Sequence, residues 1–167
     1  RTAAVMDAGL QLATGIATGT GTDCVAMACD PGTGRYAGLH TPAGEVVGVE
    51  GDHGLVERAR DNARRNGIAN AEFFAADLTQ DISAQLWKTQ RFTKLLLDPP
   101  RAGAIEVLKQ MNLEGIRRIV YVSCHPASLA RDAAYLVQER GYRLLQAGAM
   151  DMFPQTAHVE SIAVFEA

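Results

Sequence analysis

No apolar run in this 167-residue sequence approaches the ~20 residues needed to cross a bilayer, and no signal peptide is visible. No membrane partner is expected. Cysteine is scarce: Cys24, Cys29 and Cys124 are too few and too scattered for a disulfide framework. A reducing cytoplasm is the simplest compartment. Cys24 and Cys29 lack a well-spaced second ligand pair, which argues against zinc, and no metal is expected. Charge of one sign is also lacking. Sixteen basic residues against nineteen acidic ones leave a formal charge of −3, so charge alone does not mark a nucleic-acid binder. The local cluster Arg58, Arg60, Arg64 and Arg65 reads first as the solvated face of a helix. Internal repeats and long linkers are absent. What remains is 47% hydrophobic and 21% charged, an ordinary globular composition in a chain long enough for one full core.

From Glu45 onward the pattern is regular. "EVVGVEG" predicts a short buried strand. Residues 54–66 predict an amphipathic helix with Leu55, Val56, Ala59 and Ala63 on one face and Gly67 as its stop. "AEFFAAD" predicts a strand, and a weak helix follows around Ile82–Trp87. "TKLLLDPP" predicts a strand closed by two prolines that cannot continue a ladder. A helix is expected over 104–112. "RRIVYVSC" alternates too little for a surface strand and reads as buried on both faces. Pro126 suits the first turn of the next helix, over 127–139, which ends at Gly141. "YRLLQAGAMDMF" and "ESIAVFEA" predict two final strands in succession. The whole reads as an α/β fold, mostly parallel, with an antiparallel C-terminal hairpin on the sheet edge. Residues 1–44 differ. They are rich in Gly and Thr, without apolar period, and two readings stand open: a disordered segment or one read out of frame.

Acids stand at successive strand ends. Glu50 follows the first clear strand, Asp77 the next and Asp98 the third. In an open α/β sheet the carboxyl edge is where ligands bind, and an acid there accepts hydrogen bonds from ribose hydroxyls. The plain alternative is an acid favoured near a helix entry. "DPPRAGA" is sharper, because two prolines hold the backbone straight after Asp98, and mere chain reversal requires neither Asp98 nor Arg101. Cys124 lies at the end of a buried strand and just before a helix N-terminus. It is either a small core residue or a thiol activated by that terminus. Near the end, "MDMFPQTAHVES" carries Asp151, His158 and Glu160, and Glu160 opens the last strand in apolar company. Partial desolvation there would make it a base; taken alone it reads rather as a strand-edge charge.

"LLLDPPRAGA", "IVYVSCHPASLARD" and "MDMFPQTAHVESIAVF" together resemble the catalytic domain of the RNA (uracil-5-)-methyltransferases, closest to the branch that makes 5-methyluridine in 23S ribosomal RNA. The resemblance covers about residues 44–167. It implies a Rossmann-like class I S-adenosylmethionine-dependent methyltransferase sheet over residues 45–167. It also implies Cys124 as nucleophile, Glu160 as general base, and Glu50, Asp77 and Asp98 as residues that contact S-adenosyl-L-methionine. Ribosomal RNA is the implied substrate, in a cytoplasmic and monomeric protein with no protein partner indicated. The family usually has Asn where this chain has His125. It also places a loop resembling "DLFCGxGNF" ahead of its second motif, to hold the methionine end of the cofactor, whereas this chain reads "ACDPGTGRYAG". The family's RNA-binding β-barrel and iron–sulfur segment are not in this sequence, so a catalytic-domain fragment without the cluster is expected.

The chemistry implied is addition of the Cys124 thiolate to carbon 6 of uracil, methylation at carbon 5, and removal of the carbon-5 proton by Glu160. The base must leave its stack to be reached. Three alternatives stay open: a tRNA uracil-5 enzyme, a cytosine-5 or small-molecule methyltransferase, and a non-catalytic nucleotide-binding remnant. A Rossmann dehydrogenase is disfavoured, since no G-x-G-x-x-G joins a strand to a helix.

Overall fold

Strands β1 (Cys24–Ala28), β2 (Val46–Glu50), β3 (Ala71–Ala75), β4 (Lys94–Asp98), β5 (Arg118–Ser123), β6 (Arg143–Met150) and β7 (Glu160–Glu166) form one sheet in the order β3-β2-β1-β4-β5-β7-β6. The computed structural model describes residues 24–28, 45–151, 155–156 and 158–167. Strands β1 to β5 pair in parallel, and β7 pairs antiparallel with both β5 and β6. The expected mostly parallel sheet with a C-terminal antiparallel hairpin on its edge is what forms.

The apolar runs explain the central strands. Leu95, Leu97, Ile119 and Tyr121 enter one core cluster, while Leu96, Val120 and Val122 enter a second on the opposite face. Alternate residues thus go to opposite faces and both faces are buried, which is why these strands read as continuous hydrophobic runs. Helix α1 (His53–Arg65) buries Leu55, Val56, Ala59 and Ala63, with Val56, Ala59 and Ala63 packed on Phe73 of β3. Asp52 caps it by accepting from the Leu55 amide at 3.0 Å. Arg58, Arg64 and Arg65 face outward as read, Arg64 pairing with Asp61, whereas Arg60 is half-buried, pairing with Glu57 and donating to the Phe73 carbonyl at 2.5 Å.

Helices α2 (Ile105–Gln110) and α3 (Pro126–Gln138) fall where expected, the first shorter than predicted. The weak helix predicted around Ile82–Trp87 is instead a single 3-10 turn at Leu86–Thr89. Gln110 ties the preceding loop down, accepting from the Ile82 amide at 3.0 Å and donating to the Gln80 carbonyl at 2.9 Å. Buried Ile82 and Trp87 then pin this loop against the core. The predicted strand "AEFFAAD" stops at Ala75, so Asp77 lies two residues beyond the ladder.

The expectation of disorder or a wrong frame over residues 1–44 lies outside the described residues, except for β1. That strand was not anticipated. It is the middle of the five parallel strands, between β2 and β4, with Ala26 level with Gly48 on one side and Leu96 on the other.

Candidate active site

The parallel register sets the strand ends level. Glu50 pairs with Ala75 across β2 and β3, and Asp98 pairs with Ala28 across β4 and β1. Met27 pairs with Val49, so one further step brings Ala28 level with Glu50. Glu50 and Asp98 therefore face the same carboxyl edge two strand spacings apart, about 10 Å. The chain runs outward from β1 to β2 and β3, then returns to β4 and β5 on the other side. This edge is the switch point where open α/β sheets bind ligands. Glu50 is buried, and its carboxylate accepts from the Asp52 amide at 3.0 Å; Asp98 is half-buried. Asp77 differs from both. It is exposed and folded back on its own turn, accepting from the Thr79 amide at 2.9 Å and its hydroxyl at 2.7 Å. Those bonds hold its carboxyl below the usual range.

The antiparallel register assembles the other half. Ser123 is level with Ser161, and the Ser161 hydroxyl donates to the Ser123 carbonyl at 3.0 Å. The ladder ends there, with Cys124 directly after Ser123 and Glu160 directly before Ser161, and the Glu160 carboxylate lies near enough to act on the thiol. Two residues 36 positions apart in sequence are thus neighbours. Cys124 is a free, half-buried thiol. Burial pushes it above its ordinary value and the Glu160 carboxylate adds to the rise; the Arg101 guanidinium opposes it, while Asp98 reinforces it. Of the two readings of Cys124, the direction of this shift does not favour a thiol activated at rest, since desolvation and a nearby carboxylate both raise it.

His125, next in the chain, caps α3. Its Nδ1 accepts from the Ser128 amide over a long 3.4 Å, its carbonyl accepts from the Ser128 hydroxyl at 2.8 Å, and its amide donates to the Ser123 hydroxyl at 3.0 Å. The ring therefore turns toward the helix end, which is the work an Asn does at such a position.

A buried group behind the site was not singled out by sequence reading. Asp132, on α3, is fully buried. One carboxylate oxygen accepts from the Tyr121 hydroxyl at 2.6 Å and from the Ala104 amide at 2.7 Å. The other meets Arg131 at 2.7–2.8 Å, and Arg131 donates to the Ala102 carbonyl at 2.8 Å. Burial and the Asp132 carboxylate push the Tyr121 hydroxyl far up, so it stays protonated and donates. The signal was available in the sequence. Ser128, Leu129, Asp132 and Leu136 form the buried stripe of α3, and an acid on such a stripe needs partners.

A 23S rRNA (uracil(1939)-C(5))-methyltransferase, RlmD, of Stenotrophomonas maltophilia is 73% identical over 122 residues, which are 73% of this chain and 28% of that protein. That stretch belongs to the RNA (uracil-C5)-methyltransferase family. The chain spans little more than a quarter of the length of such relatives. The crystal structure of the Pyrococcus abyssi tRNA (uracil-54, C5)-methyltransferase in complex with S-adenosyl-L-homocysteine superposes with a TM-score of 0.69 at 30% identity, over 95% of this chain and 37% of that one. M. capricolum TrmK, in complex with the same cofactor product, superposes with a TM-score of 0.69 at 11% identity, over 95% of this chain and 67% of that one, a likeness of fold alone. The sheet is that of class I S-adenosylmethionine-dependent methyltransferases. A different family model, CbiZ, adenosylcobinamide amidohydrolase, matches residues 1–66. That match includes β1 and extends over β2 and α1 of the sheet.

Proposed function

We propose that residues 45–167 form the catalytic domain of an enzyme that methylates carbon 5 of a uridine in 23S ribosomal RNA through a covalent bond between Cys124 and carbon 6. The observation that carries this reading is that the paired Ser123 and Ser161 bring the adjoining Cys124 and Glu160 together, beside the edge that holds Glu50 and Asp98. The rRNA enzyme of Stenotrophomonas supports the ribosomal substrate over a tRNA one.

The residues present fit S-adenosylmethionine by their chemistry. Glu50 is a buried acceptor suited to ribose hydroxyls, and Asp98 is a second carboxylate level with it at a nucleoside-sized separation. Asp77 belongs to the same reading as an outer contact, its carboxylate already engaged by Thr79. When bound, the cofactor supplies an electrophilic methyl group. Cys124 prepares the base: its thiolate bonds to carbon 6, and the electrons of the 5,6 double bond move to make carbon 5 nucleophilic. After methylation carbon 5 still holds its proton. Glu160 accepts that proton, the double bond re-forms, and Cys124 leaves with the electrons of its bond to carbon 6. Arg101 favours the thiolate that begins the sequence, and the charge of Glu160 resists it.

A 5-fluorouridine RNA oligonucleotide tests this, because a fluorine at carbon 5 blocks the final proton removal. With S-adenosylmethionine present, the chain should give an RNA–protein band that survives denaturing electrophoresis and disappears in Cys124→Ala. A band of full strength in Cys124→Ala would remove Cys124 from the mechanism.

A second reading is a folded unit that binds the cofactor too weakly to turn over. The CbiZ match over residues 1–66 and the sequence "ACDPGTGRYAG" ahead of β2 favour it. Fluorouridine RNA that yields no band, together with cofactor binding weaker than millimolar, would support this second reading.

A further inference from the structure

We propose that Arg131 and Asp132 are positioning residues that clamp the 98–104 turn to helix α3, and so keep Arg101 beside Cys124. The inference rests on Cys124 being the reactive thiol.

The two loops that meet at the site leave neighbouring strands. One carries Asp98 and Arg101 out of β4; the other carries Cys124 and His125 from β5 into α3. Strand pairing holds them level only as far as Leu97 and Tyr121. Beyond that point the carboxylate of Asp132 takes over, joining the Ala104 amide at the end of the turn to the Tyr121 hydroxyl and to α3. The Tyr121 hydroxyl also accepts from the Ala104 amide at 3.0 Å. Arg131 adds a second tie, from α3 to the Ala102 carbonyl. Gly103 sits between these ties with φ +86°, and a Cβ there would lie 2.6 Å from both the Arg131 Nη2 and the Asp132 Oδ2. The turn has therefore closed onto the ion pair as far as a backbone can.

Simple packing does not require this arrangement. A buried carboxylate carries a desolvation cost that an apolar residue on the same stripe avoids. What Asp132 provides is direction: its bonds set where the turn lies, and the turn sets where Arg101 lies. The charged groups that act on the thiol are Glu160 on β7, Asp98 at the end of β4 and Arg101 on the turn, and the His125 ring next in the chain is turned to the cap of α3. Arg101 is the cation among them that favours thiolate, and the clamp holds its backbone.

The test is the pH profile of Cys124 alkylation by iodoacetamide, read on the Cys124 peptide by mass spectrometry, in the whole chain without RNA or cofactor. Arg101→Ala should move the midpoint to higher pH and slow alkylation at neutral pH about threefold, equivalent to half a pKa unit. Arg131→Ala and Asp132→Asn should do the same. Arg101→Ala with Arg131→Ala should shift no further than Arg101→Ala alone. Arg131 is about half exposed, so its variant keeps the test decisive even if Asp132→Asn unfolds. An unmoved midpoint in Arg131→Ala, an unmoved midpoint in Arg101→Ala, or shifts that add in the double variant would each overturn the proposal. These midpoints do not depend on methyl transfer, so their failure is distinct from the loss of the fluorouridine adduct.

Discussion

Ser161 donates its hydroxyl to the Ser123 carbonyl at 3.0 Å, and these two residues close the register between β7 and β5. Cys124 and Glu160 are the residues just beyond that last pair. A one-residue slip would turn every side chain of β7 to the other face and separate the two. The serine pair sits where such a slip would begin, and its bond is worth about 0.5–1.5 kcal/mol.

Glu160→Gln should make Cys124 more reactive toward small alkylating agents. The carboxylate raises the thiol, so removing its charge lowers the folded-state value and increases the thiolate fraction at neutral pH. Iodoacetamide kinetics between pH 6 and 10 would check this. A midpoint that stays in place would mean that the two side chains do not face each other.

Glu50→Ala should weaken S-adenosylmethionine binding by about 1.5–3 kcal/mol, or about 10- to 150-fold, because charge-assisted bonds to ribose hydroxyls are lost. Isothermal titration calorimetry measures it. Glu50 also accepts from the Asp52 amide at the start of α1, so circular dichroism must show the helix intact. An unchanged affinity would leave Glu50 with that capping role alone.

Gly48→Ala should destabilise the fold by about 1–3 kcal/mol, as overpacking does. A Cβ on Gly48 would lie 2.5 Å from Cδ1 of Phe73, whose ring is buried under α1. Urea unfolding would show the loss, and adding Phe73→Leu should recover part of it.

Replacing residues 1–44 with the corresponding segment of an RNA (uracil-5-)-methyltransferase should tighten cofactor binding. The resemblance implies a loop for the methionine end that this sequence does not match, whereas the proposed nucleoside contacts Glu50 and Asp98 are present. Calorimetry on the two chains decides; equal affinities would mean that the residues before β2 already serve.

The local pattern of this sequence determined its elements wherever burial was complete. "KLLLD" and "RIVYVS" are apolar without alternation because both faces of β4 and β5 are covered, and no other element suits such short runs. Pro126 and the stripe Leu55–Val56–Ala59–Ala63 are local signals, so α1 and α3 were legible to within a residue or two. The site residues were legible one at a time, through their positions at strand ends. Three things were not. Strand β1 lacks a distinguishing period in a Gly/Thr-rich segment, and only pairing with β2 and β4 makes it a strand. The neighbourhood of Cys124 and Glu160 comes from reversing β7 against β5, a choice of pairing that no local pattern encodes. The direction of the Cys124 shift followed that pairing: a helix terminus can be read from "SCHPAS", but desolvation and the Glu160 carboxylate act on the thiol only in the folded sheet, where β7 lies beside β5. Short-range propensity acts through bonded neighbours, whereas electrostatics act through space, and only the folded sheet sets those distances.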